Sequence, residues 1–177
     1  TIIIPAYNEE KNIESCLSSI LSNEEPCSSW KVVLADDEST DKTVQIGQSL
    51  KEKLQISNNK LEIFLAGPRP KNERWVGKNW ACAKAMERIN SDWVLFIDAD
   101  VKLKKDALKR ALNHAIEEEA DLLSLAPKLQ CGCIAEWMVQ PIMACLLGLA
   151  FPIKEINLST SQAAFAAGPF MLFKRAS

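Results

Sequence analysis

Two patterns of apolar residues alternate along the chain, one of short continuous runs and one with a spacing of three or four positions. Short continuous apolar runs predict buried strands at 2–4, 31–35, 61–65, 93–97 and 122–126. Between them, apolar residues recur every three or four positions, which predicts helices over 13–21, towards residue 54, and over 78–89 and 108–116. Strands that alternate with helices of this length are typical of a parallel sheet with right-handed crossovers. The predicted fold class is therefore α/β, a Rossmann-like sandwich with a mostly parallel central sheet.

Composition and charge narrow the class of protein. The chain has 177 residues, of which 47% are hydrophobic and 25% charged, as expected for one folded domain and not for a disordered chain. Its net charge of −2 argues against nucleic acid as the main partner. The six cysteines form no paired metal-binding motif, so we interpret them as reduced thiols in a cytoplasmic setting. Because the chain opens inside one strand and stops just after another, residues 1–177 are expected to be a single domain truncated at both ends.

Polar residues follow the predicted strands directly. They lie at 5–9, 36–41, in the loop that precedes Lys78, and at 98–100. Parallel strands end at a common edge of the sheet, and ligands of such folds bind beyond that edge. These four segments are therefore expected to converge, although they are scattered in sequence.

Asp98-Ala99-Asp100 places two carboxylates two residues apart at a strand end. In extended backbone such residues point to the same side. Two hard oxygen donors suit Mg²⁺ or Mn²⁺, which take their remaining ligands from phosphate and water. The alternative is a solvated turn, because aspartate is common after strands.

The segment 36–41 is acidic and follows the second predicted strand directly. Asp36 and Asp37 follow an apolar strand, where a carboxylate can accept a hydrogen bond from a nucleobase or a ribose hydroxyl. A solvated loop is the alternative for these acids. Thr40 or Asp41 can cap the following helix, which is a structural role.

Two further segments offer candidate contacts. In the segment 5–9, Tyr7 and Glu9 are candidates for packing on and hydrogen-bonding a nucleoside, whereas Asn8 is expected to cap the next helix. Gly77 allows close approach of the backbone, and Lys78 opens a helix, where a cation is disfavoured unless it meets an anion. Lys78 is therefore either a diphosphate ligand or a surface lysine.

Three ordered motifs together resemble the family 2 glycosyltransferases. They are Ile2-Ile3-Ile4-Pro5-Ala6-Tyr7-Asn8-Glu9, Asp36-Asp37-Glu38-Ser39-Thr40-Asp41-Lys42-Thr43 and Phe96-Ile97-Asp98-Ala99-Asp100. The segment 165–175 is similar to the family's acceptor-side strand, and Gly-Lys-Asn-Trp-Ala at 77–81 is similar to the hopanoid-associated and carotenoid-type branch.

The resemblance implies a GT-A fold, a UDP- or GDP-linked sugar donor and a Mg²⁺ or Mn²⁺ ion. It implies that the nucleoside is contacted by Pro5, Tyr7, Glu9 and Asp37, the ribose side by Asp98 and the metal by Asp100, with Asp98 as a second metal candidate. The nucleotide-sugar site expected from all these observations comprises Pro5, Ala6, Tyr7, Glu9, Asp36, Asp37, Lys78, Asp98, Ala99 and Asp100.

Two departures from the family pattern limit what the chain can do. Lys102 stands where some relatives have a further metal-contacting side chain. The family's general base lies beyond the acceptor strand, so it is expected after Ser177, and no residue here is assigned as catalytic. This leaves a catalytically incomplete nucleotide-sugar-binding or membrane-scaffold domain as one alternative, and a nucleotidyltransferase as another.

The segment 134–153 is almost wholly apolar, with Glu136 as its charged member before Ile153. An interfacial membrane helix, a core helix and a membrane span are the three interpretations, and the unbroken run from Pro141 fits a span poorly because it is short. An interfacial helix would suit a lipid or membrane-embedded acceptor, at the cytoplasmic face of the membrane.

Overall fold

The computed structural model describes residues 1–70, 72–75, 78–126, 128, 132–158 and 160–175. Within these residues the chain forms one six-stranded sheet and six helices. In chain order they are β1 (Ile2–Ala6), α1 (Ile13–Leu21), β2 (Val32–Asp36), α2 (Thr43–Lys53), β3 (Leu61–Leu65), α3 (Asn79–Glu87), β4 (Trp93–Ile97), α4 (Ala107–Glu117), β5 (Leu122–Ser124), α5 (Ile134–Ala150), α6 (Ile153–Ile156) and β6 (Phe170–Lys174).

The sheet has the strand order β3-β2-β1-β4-β6-β5. Strands β1 to β4 pair in parallel, whereas β6 is antiparallel to both β4 and β5. The sheet is therefore mostly parallel, as predicted. The strand order reverses between β1 and β4, and in doubly wound sheets such a reversal opens a crevice at the carboxyl edge.

Alternating residues of the strands build a hydrophobic core on each face of the sheet. On one face, Ile4, Leu34 and Ile97 pack with α1 and α4, and on the other face Ile3, Val33 and Val94 pack with α3. Helix α2 lies on the first face, where a side chain at Gly47 would approach Leu34 to 3.0 Å. Helices on both faces hold the strands rigidly, so the loops at the carboxyl edge start from fixed positions.

Helix α5 does not join either core. None of its side chains is buried, and Pro141 lies inside it. The interpretation of 134–153 as a core helix therefore finds no support in the part of the chain that the structure describes. No helix in the described ranges combines the length and the apolar character needed to cross a bilayer.

Candidate functional site

The loops that follow β1, β2 and β3 are joined by backbone hydrogen bonds at the carboxyl edge. The amide of Asp37 donates to the carbonyl of Ala6 at 2.8 Å, and the amide of Ala66 donates to the carbonyl of Asp36 at 2.8 Å. The structure therefore confirms the prediction that the segments at 5–9 and 36–41 lie side by side.

Side chains lock the segment after β1 to the acidic segment. Thr43 is fully buried; its hydroxyl accepts from the amide of Glu9 at 2.7 Å and donates to Asp41 Oδ1 at 2.5 Å. Asp41 Oδ1 also accepts from the amide of Thr43 at 2.9 Å, so Asp41 satisfies the first amide of α2. The cap position itself is Lys42, one residue later than the predicted Thr40 or Asp41.

The prediction that Asn8 caps the first helix is wrong. α1 begins at Ile13, and Asn8 adopts a left-handed conformation with φ 56°. Its Oδ1 accepts from the amide of Thr40 at 2.8 Å, and its own amide donates to the hydroxyl of Ser39 at 2.9 Å. Asparagine tolerates this conformation, and here its side chain binds a neighbouring loop instead of its own helix.

Asp36 and Asp37 are both buried. Asp36 Oδ2 accepts from the amide of Ser39 at 2.9 Å, whereas its Oδ1 is buried with no hydrogen-bond partner among the described residues. The carboxylate of Asp37 is 3% exposed and forms an ion pair with Arg69, whose side chain is 40% exposed. That hydrogen bond raises the pKa of Arg69. Asp37 thus presents a buried carboxylate whose counter-ion faces the solvent side.

Asp98 and Asp100 lie in a turn that follows β4. The amide of Val101 donates to the carbonyl of Asp98 at 3.1 Å, so the backbone turns at 98–101. The prediction that extended backbone points both carboxylates to one side is therefore wrong. Asp98 is partly buried and accepts from Lys78 Nζ at 2.5 Å, while Asp100 is exposed. Lys78 therefore reaches the acidic turn.

The buried thiol of Cys16 lies next to the turn after β4 and is influenced by carboxylates from two loops. Cys16 Sγ lies 3.7 Å from the carbonyl oxygen of Asp98. Burial, together with the negative charges of Asp100, Glu9 and Asp98, raises the pKa of the Cys16 thiol to about 12. The carboxylates after β1 and after β4 are therefore close enough to act on one buried group.

Some predicted site residues offer no side chain to a ligand. Pro5, Ala6 and Ala99 are buried, and Ala6 and Ala99 belong to the core. Only their backbone atoms can face the crevice. Tyr7, in contrast, is 58% exposed beyond β1, and a large exposed ring suits stacking on a nucleobase. Gly77 lies outside the described residues.

Two residues in the site were not assigned a role from sequence. Arg69 is in the Gly/Pro/Arg-rich connection after β3, where nothing in the local pattern indicates a partner after β2. Thr43 is the last residue of the second motif, and its hydroxyl accepts from the amide of Glu9. Its place in that motif is the one sequence feature that could have indicated a role for this residue.

The charges at this edge suit a divalent cation. Five carboxylates, those of Glu9, Asp36, Asp37, Asp98 and Asp100, meet the two cations Arg69 and Lys78. The described residues contain no group of three or more His, Cys, Asp or Glu side chains able to hold a metal by themselves. Within the described part of the chain, at most two carboxylates are therefore close enough together to share an ion, which is compatible with Mg²⁺ or Mn²⁺ taking its other ligands from phosphate and water.

A family model described as glycosyl transferase family 2 matches residues 1–177. The chain belongs to this family. This match confirms the resemblance inferred from the three motifs. It favours the interpretation as a glycosyltransferase over the alternative of a nucleotidyltransferase.

Two curated relatives from Staphylococcus aureus are each 33% identical to the chain over 129 residues, or 72% of it. One is poly(ribitol-phosphate) beta-N-acetylglucosaminyltransferase TarS, of which the match covers 21%, and the other is 4,4'-diaponeurosporenoate glycosyltransferase, of which it covers 31%. The second match is consistent with the carotenoid-type branch. The chain thus spans less than a third of the length of these relatives.

Solved structures show the same fold. S. aureus TarS 1-349 in complex with UDP is 28% identical with a TM-score of 0.58, and the match covers 75% of this chain and 36% of that one. The mannosyltransferase PcManGT from Pyrobaculum calidifontis, in complex with GDP-Man and Mn²⁺, is 22% identical with a TM-score of 0.68 over 98% of this chain and 44% of that one. The predicted α/β fold of the GT-A type is confirmed.

Proposed function

We propose that the chain is the donor-binding part of a glycosyltransferase that moves a sugar from a UDP- or GDP-sugar to an acceptor hydroxyl. The observation that carries the proposal is the pairing of Asp37 with Arg69 and of Asp98 with Lys78 on the two sides of the β1 end. Carboxylates for a nucleoside and cations for a diphosphate are thus available at one crevice.

The nucleoside is proposed to lie between the ends of β1 and β2. The buried carboxylate of Asp37 accepts from a ring N–H of the base, and the exposed ring of Tyr7 packs on the base. Asp98 is proposed to accept from the ribose. The UDP complexes of TarS share 28% identity with this chain, so a UDP-sugar is the donor to test first.

The diphosphate is proposed to lie over the turn after β4. Asp98 and Asp100 would hold a Mg²⁺ or Mn²⁺ ion, which when bound neutralises the charge of the diphosphate leaving group. Lys78 adds a positive charge at the same place. The excess of carboxylates over cations supports this assignment, since without a divalent ion the edge would repel a polyanion.

Transfer is proposed to invert the anomeric centre. The acceptor hydroxyl attacks the anomeric carbon, the bond from that carbon to the phosphate oxygen breaks, and a base takes the proton of the hydroxyl. No residue among 1–177 is assigned as that base. The two relatives are named for different acceptors, so the proposal of a lipid or membrane-embedded acceptor at the cytoplasmic face rests on the apolar segment 134–153.

Titration calorimetry of the chain with UDP and GDP, with and without Mn²⁺, tests the donor site. We expect binding of one nucleotide to depend on the metal, and Asp100→Ala to abolish that dependence. Asp92→Ala is the matched control, because Asp92 is an exposed aspartate at the opposite end of the same strand. Nucleotide binding that ignores the metal, or that Asp100→Ala leaves unchanged, would contradict the proposal.

A further inference from the structure

The connection from β3 to α3 carries both cations of the candidate site. Arg69 forms an ion pair with a residue after β2, and Lys78 forms one with a residue after β4, on the other side of the end of β1. Both cations reach their carboxylates through long side chains, which are 40% and 52% exposed. Such an ion pair fixes a charged group but leaves freedom to the backbone that carries it. The place of the two cations therefore depends on what holds the backbone of the connection.

The indole of Trp80 holds the two ends of the connection together. Its Nε1 donates to the carbonyl of Gly67 at 2.8 Å, between residues thirteen positions apart. Gly67 has a φ of 75°, a left-handed conformation that glycine adopts without strain. Arg69 follows the acceptor by two positions, and Lys78 precedes the donor by two. One hydrogen bond therefore constrains the backbone beside both cations.

Trp80 is held by the sheet and not by the connection. It is 8% exposed and belongs to the hydrophobic core on the α3 face of the sheet, with Ile3 and Val33. The ammonium of Lys84, one turn further along α3, lies 4.8 Å from the centroid of its ring. A ring packed in a core stays in one rotamer, so its N–H points in one direction. The indole is therefore a fixed point to which the carbonyl of Gly67 is tied.

The need of a buried indole N–H for an acceptor is the simpler explanation of this bond. The position of the acceptor indicates more. Trp75 has the same donor in the same connection, and its Nε1 donates at 2.7 Å to Glu73, two positions away. Trp80 bonds instead to a main-chain carbonyl at the far end of the connection. This bond closes the connection, which satisfying the donor alone does not require.

We propose that Trp80 is a positioning residue, which sets Arg69 and Lys78 in place for the donor by tying Gly67 to the start of α3. The inference rests on the proposed function, because the ligand of the two cations is the proposed nucleotide-sugar. Without the hydrogen bond, part of the population would hold one cation away from the crevice. The apparent affinity for nucleotide falls in proportion to the fraction of chains that have both cations in place.

Titration calorimetry with UDP and Mn²⁺ tests the N–H of Trp80. Trp80→Phe keeps an aromatic ring in the core and removes the donor, and we expect roughly fivefold weaker binding, the equivalent of one hydrogen bond. Trp75→Phe is the matched control. It also removes an indole N–H from the connection, keeps a ring against that of Trp80, and should bind as the native chain does. Equal affinities of Trp80→Phe and the native chain would overturn the proposal.

Gly67→Ala tests the same hydrogen bond from the acceptor end. Among the described residues, an added Cβ meets no atom within 4 Å, so the substitution acts through the strained φ of 75° and not through a clash. We expect a loss of affinity similar to that of Trp80→Phe, and the double variant should lose no more than either single variant. Losses that add in the double variant would show two independent effects and would overturn the proposed tie.

The two cations offer a further test of the positioning role. A purely structural Trp80 would lower the urea midpoint of Trp80→Phe but leave the UDP affinity of the folded chain unchanged. A positioning role predicts in addition that Trp80→Phe has no effect on UDP affinity in a chain that already carries Arg69→Gln and Lys78→Gln, because no cation remains to be positioned. A further loss of roughly fivefold in that background would overturn the proposal.

Hydrogen exchange without nucleotide separates this proposal from the proposed function. The amide of Ala66, directly before Gly67, donates to the carbonyl of Asp36 at 2.8 Å. We expect Trp80→Phe to speed its exchange, because the connection opens more often, and Trp75→Phe to leave it at the native rate. Unchanged exchange in Trp80→Phe would overturn the positioning role. Faster exchange, together with a native chain that binds no nucleotide, would refute the proposed function and leave the closure of the connection standing.

Discussion

The hydroxyl of Thr43 is expected to hold the two nucleotide-facing loops together. It accepts from the amide of Glu9 at 2.7 Å and is fully buried. Thr43→Val keeps the shape of the side chain and removes the hydroxyl, so the amide of Glu9 loses its acceptor in a place that water reaches poorly. The perturbation therefore separates the hydrogen bonds from the packing.

The expected cost of Thr43→Val is about 2 kcal/mol in the free energy of unfolding, because a buried donor left unpaired costs about 1–3 kcal/mol. Thr43→Ser is the matched control. It keeps the hydroxyl and loses one buried methyl group, which costs about 0.8 kcal/mol. Urea unfolding followed by circular dichroism measures both variants, and the two should differ in midpoint at an unchanged m-value.

The same pair of variants links stability to binding. Thr43→Val frees the segment that carries Tyr7 and Glu9, so its affinity for UDP in calorimetry should fall, whereas Thr43→Ser should bind as the native chain does. A Thr43→Val variant that is as stable as the native chain, or more stable than Thr43→Ser, would refute the assignment of the hydroxyl.

Two further predictions concern charge and thiol chemistry. Arg69→Gln leaves the buried carboxylate of Asp37 without its cation, so UDP affinity should fall roughly tenfold; Arg74→Gln, in the same connection, should leave it unchanged, and equal losses would contradict the role of Arg69. Burial raises the pKa of Cys16 to about 12, so folded protein at pH 8 holds it as the inert thiol and iodoacetamide should spare it while labelling Cys27. Peptide mass spectrometry reads the labelling, and early modification of Cys16 in the folded chain would show the thiol to be accessible and ionised.

The strand pattern was predictable because buried parallel strands require continuous apolar runs. The strands at 61–65 and 93–97 have the predicted bounds. The second strand ends one residue later than predicted, since the backbone of Asp36 still pairs with Ala6 and Leu65 although aspartate disfavours strands. The insertion of β6 between β4 and β5 was not predictable, because no local pattern encodes which strands become neighbours.

Site residues that directly follow a strand could be predicted from the sequence. Those whose position depends on a contact with another loop could not. Asp37 and Asp98 were assigned from their positions after strands. Asn8 was predicted to cap a helix because its residue type favours caps, but a contact with Thr40 in the neighbouring loop after β2 decides its conformation. Local propensity is a weak guide at such positions, where tertiary hydrogen bonds override it.

Strand order explains why the two ion pairs could not be predicted from the sequence, although Lys78 itself was a candidate ligand for the diphosphate. Arg69 and Lys78 belong to one connection, from β3 to α3, yet Arg69 pairs with a residue after β2 and Lys78 with a residue after β4. β1 lies between β2 and β4 in the sheet, so the two ion pairs flank the end of β1. An anion that binds between the two ion pairs would compete with Asp37 for Arg69 and with Asp98 for Lys78. The acidic motifs therefore predict the negative charges of this edge but not how they are paired. The pairing depends on the connection from β3 to α3, which carries one cation to each side of the end of β1.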